Sequence, residues 1–199
     1  MIRTASRTTA SIIVVTMAFG WALGAAARES RETEHTEEQP LINPDARVRA
    51  FSSRVKTILA DAAARSATFR RLVAQIAATD GLVYIAEGQC DKGRLWACLL
   101  LTVTIAGPSR QLRILVDPRN ADRDLMESIG HELQHAVEVL SDPAVRSDAA
   151  ILMMYRQRCQ LCGGPCRRCG GAFETEEAVL AGHAVRDELE KAAAVTRRN

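Results

Sequence analysis

The sequence predicts an α+β domain in which a small, mostly antiparallel sheet packs against helices. Three observations carry that prediction. Apolar residues recur at helical spacing over residues 45–78 and again from residue 119 onward. Between these stretches lie short runs of strand character, rich in Val, Ile, Leu and Thr. The strands are grouped rather than alternating with helices, the pattern of segregated layers. Composition permits such a core: 199 residues, 47% hydrophobic and 25% charged. Only 4% of residues are aromatic, so no aromatic platform for bases or sugars can be read, and core volume must come from Leu, Ile, Val and Ala. The net charge of +2, with basic residues scattered along the chain, gives no electrostatic footprint for nucleic acid.

Residues 1–27 have the pattern of an export signal. Arg3 and Arg7 supply a basic start, Ile12, Ile13, Val14, Val15 and Phe19 an apolar run, and Gly24 to Ala27 small residues for cleavage. The run is short of the roughly 20 residues that a spanning helix needs. An uncleaved signal would instead leave the chain associated with a membrane by its N-terminus. Either way the folded part is expected outside the cytoplasm, periplasmic or secreted. Residues 28–44 are polar and acidic, with Glu29, Glu32, Glu34, Glu37, Glu38, Pro40 and Pro44, and suit a linker or arm. The domain proper is expected over residues 45–199.

Within it, Val48, Phe51, Val55, Ile58 and Leu59 mark a helix over residues 45–64, and Phe69, Leu72, Val73 and Ile76 a second over 67–78. Gly81 begins a change of period. Residues 82–86 suit a short strand, 95–105 a longer one with Val103 and Ile105 alternating against Thr102 and Thr104, and 112–116 a third. Residues 88–93 look like a turn. Leu125, Ile129, Leu133 and Val137 then recur every four residues along a helix that Ser141-Asp142-Pro143 stops. Another helix is expected over 144–158, a Cys/Gly/Pro loop over 159–171, and a last helix over 173–193.

Six cysteines in an exported chain favour disulfides. Cys90 in the turn and Cys98 in the following strand are placed to bridge neighbouring segments. Cys159, Cys162, Cys166 and Cys169 form a compact cluster, read by default as two disulfides; the same spacing also suits a structural four-thiolate zinc site.

The chemistry concentrates at His131-Glu132-Leu133-Gln134-His135. On a helix, residues four apart project from one face, so two imidazoles can occupy two corners of a zinc tetrahedron. Glu132 leans over the same edge, where it can take a proton from zinc-bound water and pass it to a leaving group. Two surface histidines and a solvated glutamate would give the same letters. With four His in the chain, however, that pattern arises by chance on the order of once per hundred sequences. A catalytic zinc needs a third protein ligand. The extended motif with a third His would need Gly and His at positions occupied by Glu138 and Ser141, so the ligand must come from elsewhere. Glu174, Glu176 and Glu177 open the last helix and are candidates, with His183 behind them. His183, Arg186 and Tyr155 are also candidates for stabilising an oxyanion.

Gly130 to Ala136, followed by Phe173-Glu174-Thr175 and Ala181-Gly182, resembles the gluzincin metallopeptidases, and in particular is similar to small exported bacterial proteins of unassigned substrate. The resemblance covers residues 112–189; its first motif is specific, its second weak. It implies a zincin-like fold, with the sheet edge lining the cleft, and Glu174 as third ligand ahead of Glu177. One departure matters. Such proteins often carry an Asp four residues after the ligand Glu, supporting a ligand His. Here that position is Ala178, which leaves the supporting partner unidentified.

The expectation is therefore an exported zinc-dependent hydrolase, a peptidase acting on peptide or protein substrates. His131, His135 and Glu174 would hold the metal, and Glu132 would serve as general base. The rival reading is an exported binding or scaffold protein of the same fold without turnover. An intact Glu132 favours the enzyme, because binding alone has no use for a base.

Overall fold

The computed structural model describes residues 46–90, 95–161, 168–169 and 172–198. The expected signal and arm lie outside the described residues. So do Cys162, Cys166 and the side chains of Cys159 and Cys169, and with them the choice between disulfides and zinc at that cluster.

The described chain is α+β. Strand β1 (Val48–Ala50) leads into helices α1 (Ser53–Arg65) and α2 (Ala67–Ala77). Strands β2 (Gly81–Glu87), β3 (Ala97–Leu99), β4 (Thr104–Ala106) and β5 (Ser109–Val116) follow. Helices α3 (Asp122–Leu140) and α4 (Asp148–Leu161), the short pair β6 (Arg168–Cys169) and β7 (Ala172–Phe173), and α5 (Glu176–Thr196) complete it. Helix starts are set by local chemistry. Ser52, Ser66 and Thr175 each accept a bond from a backbone N–H three residues on, satisfying a donor that the first turn leaves free.

The sheet is mixed, which corrects the expected mostly antiparallel arrangement. Its order is β1-β2-β5-β3, with β4 also on β5. β1 and β2 pair in parallel, as do β2 and β5, whereas β3 and β4 run antiparallel to β5. Connectivity is the reason. α1 and α2 form a crossover that returns β2 in the direction of β1. β3 and β4 then run back along the edge, so β5 re-enters parallel to β2. The β4–β5 turn uses Gly107 at φ 57°, a left-handed conformation that glycine adopts without a Cβ penalty.

Several boundaries differ from expectation, two of them in kind. β1 occupies residues assigned to the first helix, which starts later, at Ser53. The long strand of residues 95–105 is interrupted after β3, because the Val103 N–H bonds to the Asp148 carboxylate at 2.9 Å instead of to a strand.

Val83, Ile85, Leu112, Ile114 and Val116 line one face of the sheet and join the buried core with Leu72, Ile76, Ile129 and Leu133. Leu82, Tyr84, Arg113 and Leu115 face the other way and keep contact with solvent. The C-terminus of α3 is fastened to the sheet by Arg110 of β5, only 1% exposed. Its guanidinium donates to the carbonyls of Val139, Leu140, Asp142 and Val145 and to Asp80 Oδ1 at 2.7 Å. A cation at a helix C-terminus complements both the orphan carbonyls and the helix dipole. α3, which carries the motif, is therefore held against β5 and the β3 edge.

Candidate metal centre

His131 and His135 sit mid-α3, one turn apart, with ring centroids 4.9 Å from each other. Glu174 lies immediately before Thr175, the N-cap of α5, and its Oε1 comes to 3.5 Å from His131 Nε2. One donor atom from each of His131, His135 and Glu174 lies within 4.8 Å of the others. Glu176 and Glu177 are exposed and are not part of this group. Tetrahedral zinc with ligands at its usual distances separates them by about 3.3 Å. His131 Nε2 and Glu174 Oε1, 3.5 Å apart, are near that spacing, and the set fits a zinc ion once its donors, within 4.8 Å of one another, draw together.

The close approach of α5 to α3 is a small-residue contact. A Cβ on Gly182 would lie 3.3 Å from His131 Cβ, and one on Gly130 would lie 2.8 Å from Val185 Cγ2. Glycine at both positions lets the backbone carrying Glu174 come near the histidines.

A second layer locks the donors in place. His135 Nδ1 lies 3.1 Å from Glu138 Oε2, and the other carboxylate oxygen of Glu138 accepts from Thr175 Oγ1 at 2.7 Å. Glu138 thereby fixes the His135 ring with Nε2 free for a metal, and links α3 to the residue beside Glu174. The Tyr155 hydroxyl is 3.3 Å from the same Nδ1, and the Tyr155 ring stacks on Phe173 at 5.2 Å. Glu138 supplies the support that was sought at Ala178. Its signal was available: a carboxylate three residues after a ligand on one helix reaches that ligand.

Glu132 is buried, and its Oε2 accepts from the Leu99 N–H of β3 at 2.7 Å. Burial raises its pKa above the ordinary carboxylate value, against the opposing charges of His135 and His131 and the Leu99 bond. Glu174 is held below its usual range, chiefly by its bond to His131. For Glu138, burial works upward but is outweighed by the bond to His135 and its charge, so the net shift is downward. His131 follows the reverse balance: burial alone would lower its pKa, yet the bond to Glu174 and the charges of Glu132, Glu174 and Glu138 raise it. Three carboxylates around two imidazoles make a local field that favours a cation.

A cavity of about 370 Å³ opens over this group. Leu95, Trp96 and Ala97 line it together with His131 and Glu132 of α3, Glu174, and His183 of α5. Of the three oxyanion candidates, His183 lines the cavity. Arg186 is engaged by Glu127 through a bidentate ion pair. Tyr155 stands behind His135 on its Nδ1 side; burial, then the charges of Glu138 and Glu132, push its hydroxyl well above the ordinary value and keep it neutral. The expected Cys90–Cys98 disulfide is present, with an S–S distance of 2.07 Å. Among the described residues no helix is long and apolar enough to cross a membrane. No model of a known protein family, no curated protein and no solved structure matches the chain.

Proposed function

We propose that this chain is an exported zinc-dependent hydrolase of the gluzincin kind, with a zincin-like fold, acting as a peptidase on peptide or protein substrates. One observation carries the reading: donor atoms of His131, His135 and Glu174 lie within 4.8 Å of one another beside a buried carboxylate, Glu132, that faces the same cavity. A core has no use for that combination, because each buried ionisable group costs desolvation energy. The N-terminal signal pattern and the Cys90–Cys98 disulfide support an oxidising compartment.

Zinc held there would polarise a substrate carbonyl and lower the pKa of a coordinated water to about 7. The chain's own groups do the rest. Glu132 would take the water's proton at its carboxylate and return it to the leaving amine. The Leu99 N–H fixes one carboxylate oxygen and so the direction of the other. Glu138 sets the tautomer of His135.

The test is metal content together with cleavage of a mixed peptide library. The purified protein is expected to carry one zinc and to cleave peptides. Glu132→Gln is expected to keep the metal and lose turnover by about a hundredfold to ten-thousandfold. Zinc without any cleavage would replace the enzyme by the binding-protein reading, and absence of zinc would sink the zinc hydrolase.

A further inference from the structure

Leu99, which orients Glu132, closes β3, a three-residue strand at the sheet edge. The Leu100 N–H donates to the Arg113 carbonyl of β5 at 2.9 Å, and the Trp96 carbonyl accepts from the N–H of Asp117, just past β5, at 2.8 Å. Strand alternation therefore turns the Leu99 amide away from β5, off the edge and toward α3. So short an edge strand is weakly held by its ladder, and just beyond it the chain departs toward Asp148. Cys98 lies between Ala97 and Leu99, with its side chain on the opposite face. There it is bonded to Cys90, which is 3% exposed and whose backbone bridges Leu95. The strand is thus held at its free edge by Glu132 and on one face by Cys90.

We infer that the Cys90–Cys98 disulfide is a positioning bridge, which fixes β3 so that the Leu99 amide orients Glu132. Its effect on turnover rests on the proposed role of Glu132 as general base; its effect on the Leu99 amide does not. A bridge that only restricted the unfolded chain would act on global stability and leave local geometry alone.

The experiment compares wild type with Cys90→Ala/Cys98→Val, which keeps apolar volume and strand propensity. Hydrogen exchange is followed by NMR at the amides of Leu99 and Ile114, alongside zinc content and steady-state kinetics. Leu99 exchange is expected to rise tenfold or more, to about a hundredfold, while Ile114 in the β5 ladder stays within about twofold. Zinc is retained, and kcat falls about tenfold with KM nearly constant. Equal acceleration at both amides, or none at Leu99, overturns the inference. Should this pair not fold, Cys90→Ser/Cys98→Ser is measured in the same way. Failure of both pairs to fold also overturns it, since a bridge needed by the whole fold is not a local positioning device. Wild type without hydrolytic activity would refute the proposed function and leave the exchange result to decide the bridge.

Discussion

Glu138 Oε2 lies 3.1 Å from His135 Nδ1, three residues further along the same helix. Both side chains are almost fully buried, at 3% and 6% exposed. A buried carboxylate there has one evident use, to orient an imidazole whose other nitrogen is needed elsewhere. Glu138→Ala should therefore weaken zinc binding about 10- to 100-fold without removing a ligand. Competition with a chelator measures this. Unchanged affinity would reduce Glu138 to a packing residue.

The proposed third ligand gives a sharper comparison. Glu174 reaches 3.5 Å from His131 Nε2, whereas Glu177 is exposed at the start of α5. Glu174→Ala should lose zinc under conditions in which Glu177→Ala retains it, because two imidazoles alone leave the metal underligated. Metal analysis after dialysis reads the difference, with circular dichroism confirming that both variants are folded. Loss of zinc from Glu177→Ala alone would reverse the assignment.

How much of this was legible in the sequence depended on range. His131, Glu132 and His135 were readable because their relation is local, one turn of one helix. Glu138 was equally local, yet its position had been weighed only as a place for glycine in an extended motif. Glu174 came through resemblance, since no periodicity links it to α3. The Leu99 amide was not legible at all, because it depends on which strand lies at the edge of the sheet. Strand direction had the same character. Short apolar runs marked β2 and β5, but the helical crossover and the returning edge segment made their pairing parallel. β1 was hidden because three residues adjoining a helix are too few to show a period of their own.

Arg110 and Asp80 connect the sheet to the end of the motif helix, and this predicts an acid sensitivity. The bond from Arg110 lowers the Asp80 pKa, against a smaller opposing effect of burial. A carboxylate whose folded pKa is depressed contributes stability above its unfolded value, about 3.9, and loses it as pH falls through the folded value. Wild type should therefore lose stability on acidification below about pH 4 more steeply than Asp80→Asn, which has no such proton to bind. Urea midpoints between about pH 3 and 6 test this. Parallel curves would remove Asp80 from the acid response.

The last prediction concerns the contact between α3 and α5, which brings the proposed ligands together. A Cβ on Gly130 would lie 2.8 Å from Val185 Cγ2, closer than side chains pack, so in wild type Gly130→Ala must displace Val185 or α5. Overpacking of this kind costs about 1–3 kcal/mol. Alanine in place of glycine inside a helix contributes about 1 kcal/mol in the other direction. The net effect in wild type should be neutral to destabilising, by up to about 2 kcal/mol. Val185→Ala removes the opposing methyl, and the nearest remaining Val185 atom, its Cβ, is at 3.4 Å, an ordinary contact. In that background Gly130→Ala should become stabilising by about 1 kcal/mol, because the helix preference is then unopposed. Urea unfolding of the four proteins in this cycle decides the matter. The two single variants need not be equally stable, since Val185 is itself fully buried and its truncation has a separate cost. What matters is the change of sign. If Gly130→Ala has the same effect in both backgrounds, the glycine does not set the approach of α5 to α3, and the nearness of Glu174 to the histidines has another cause.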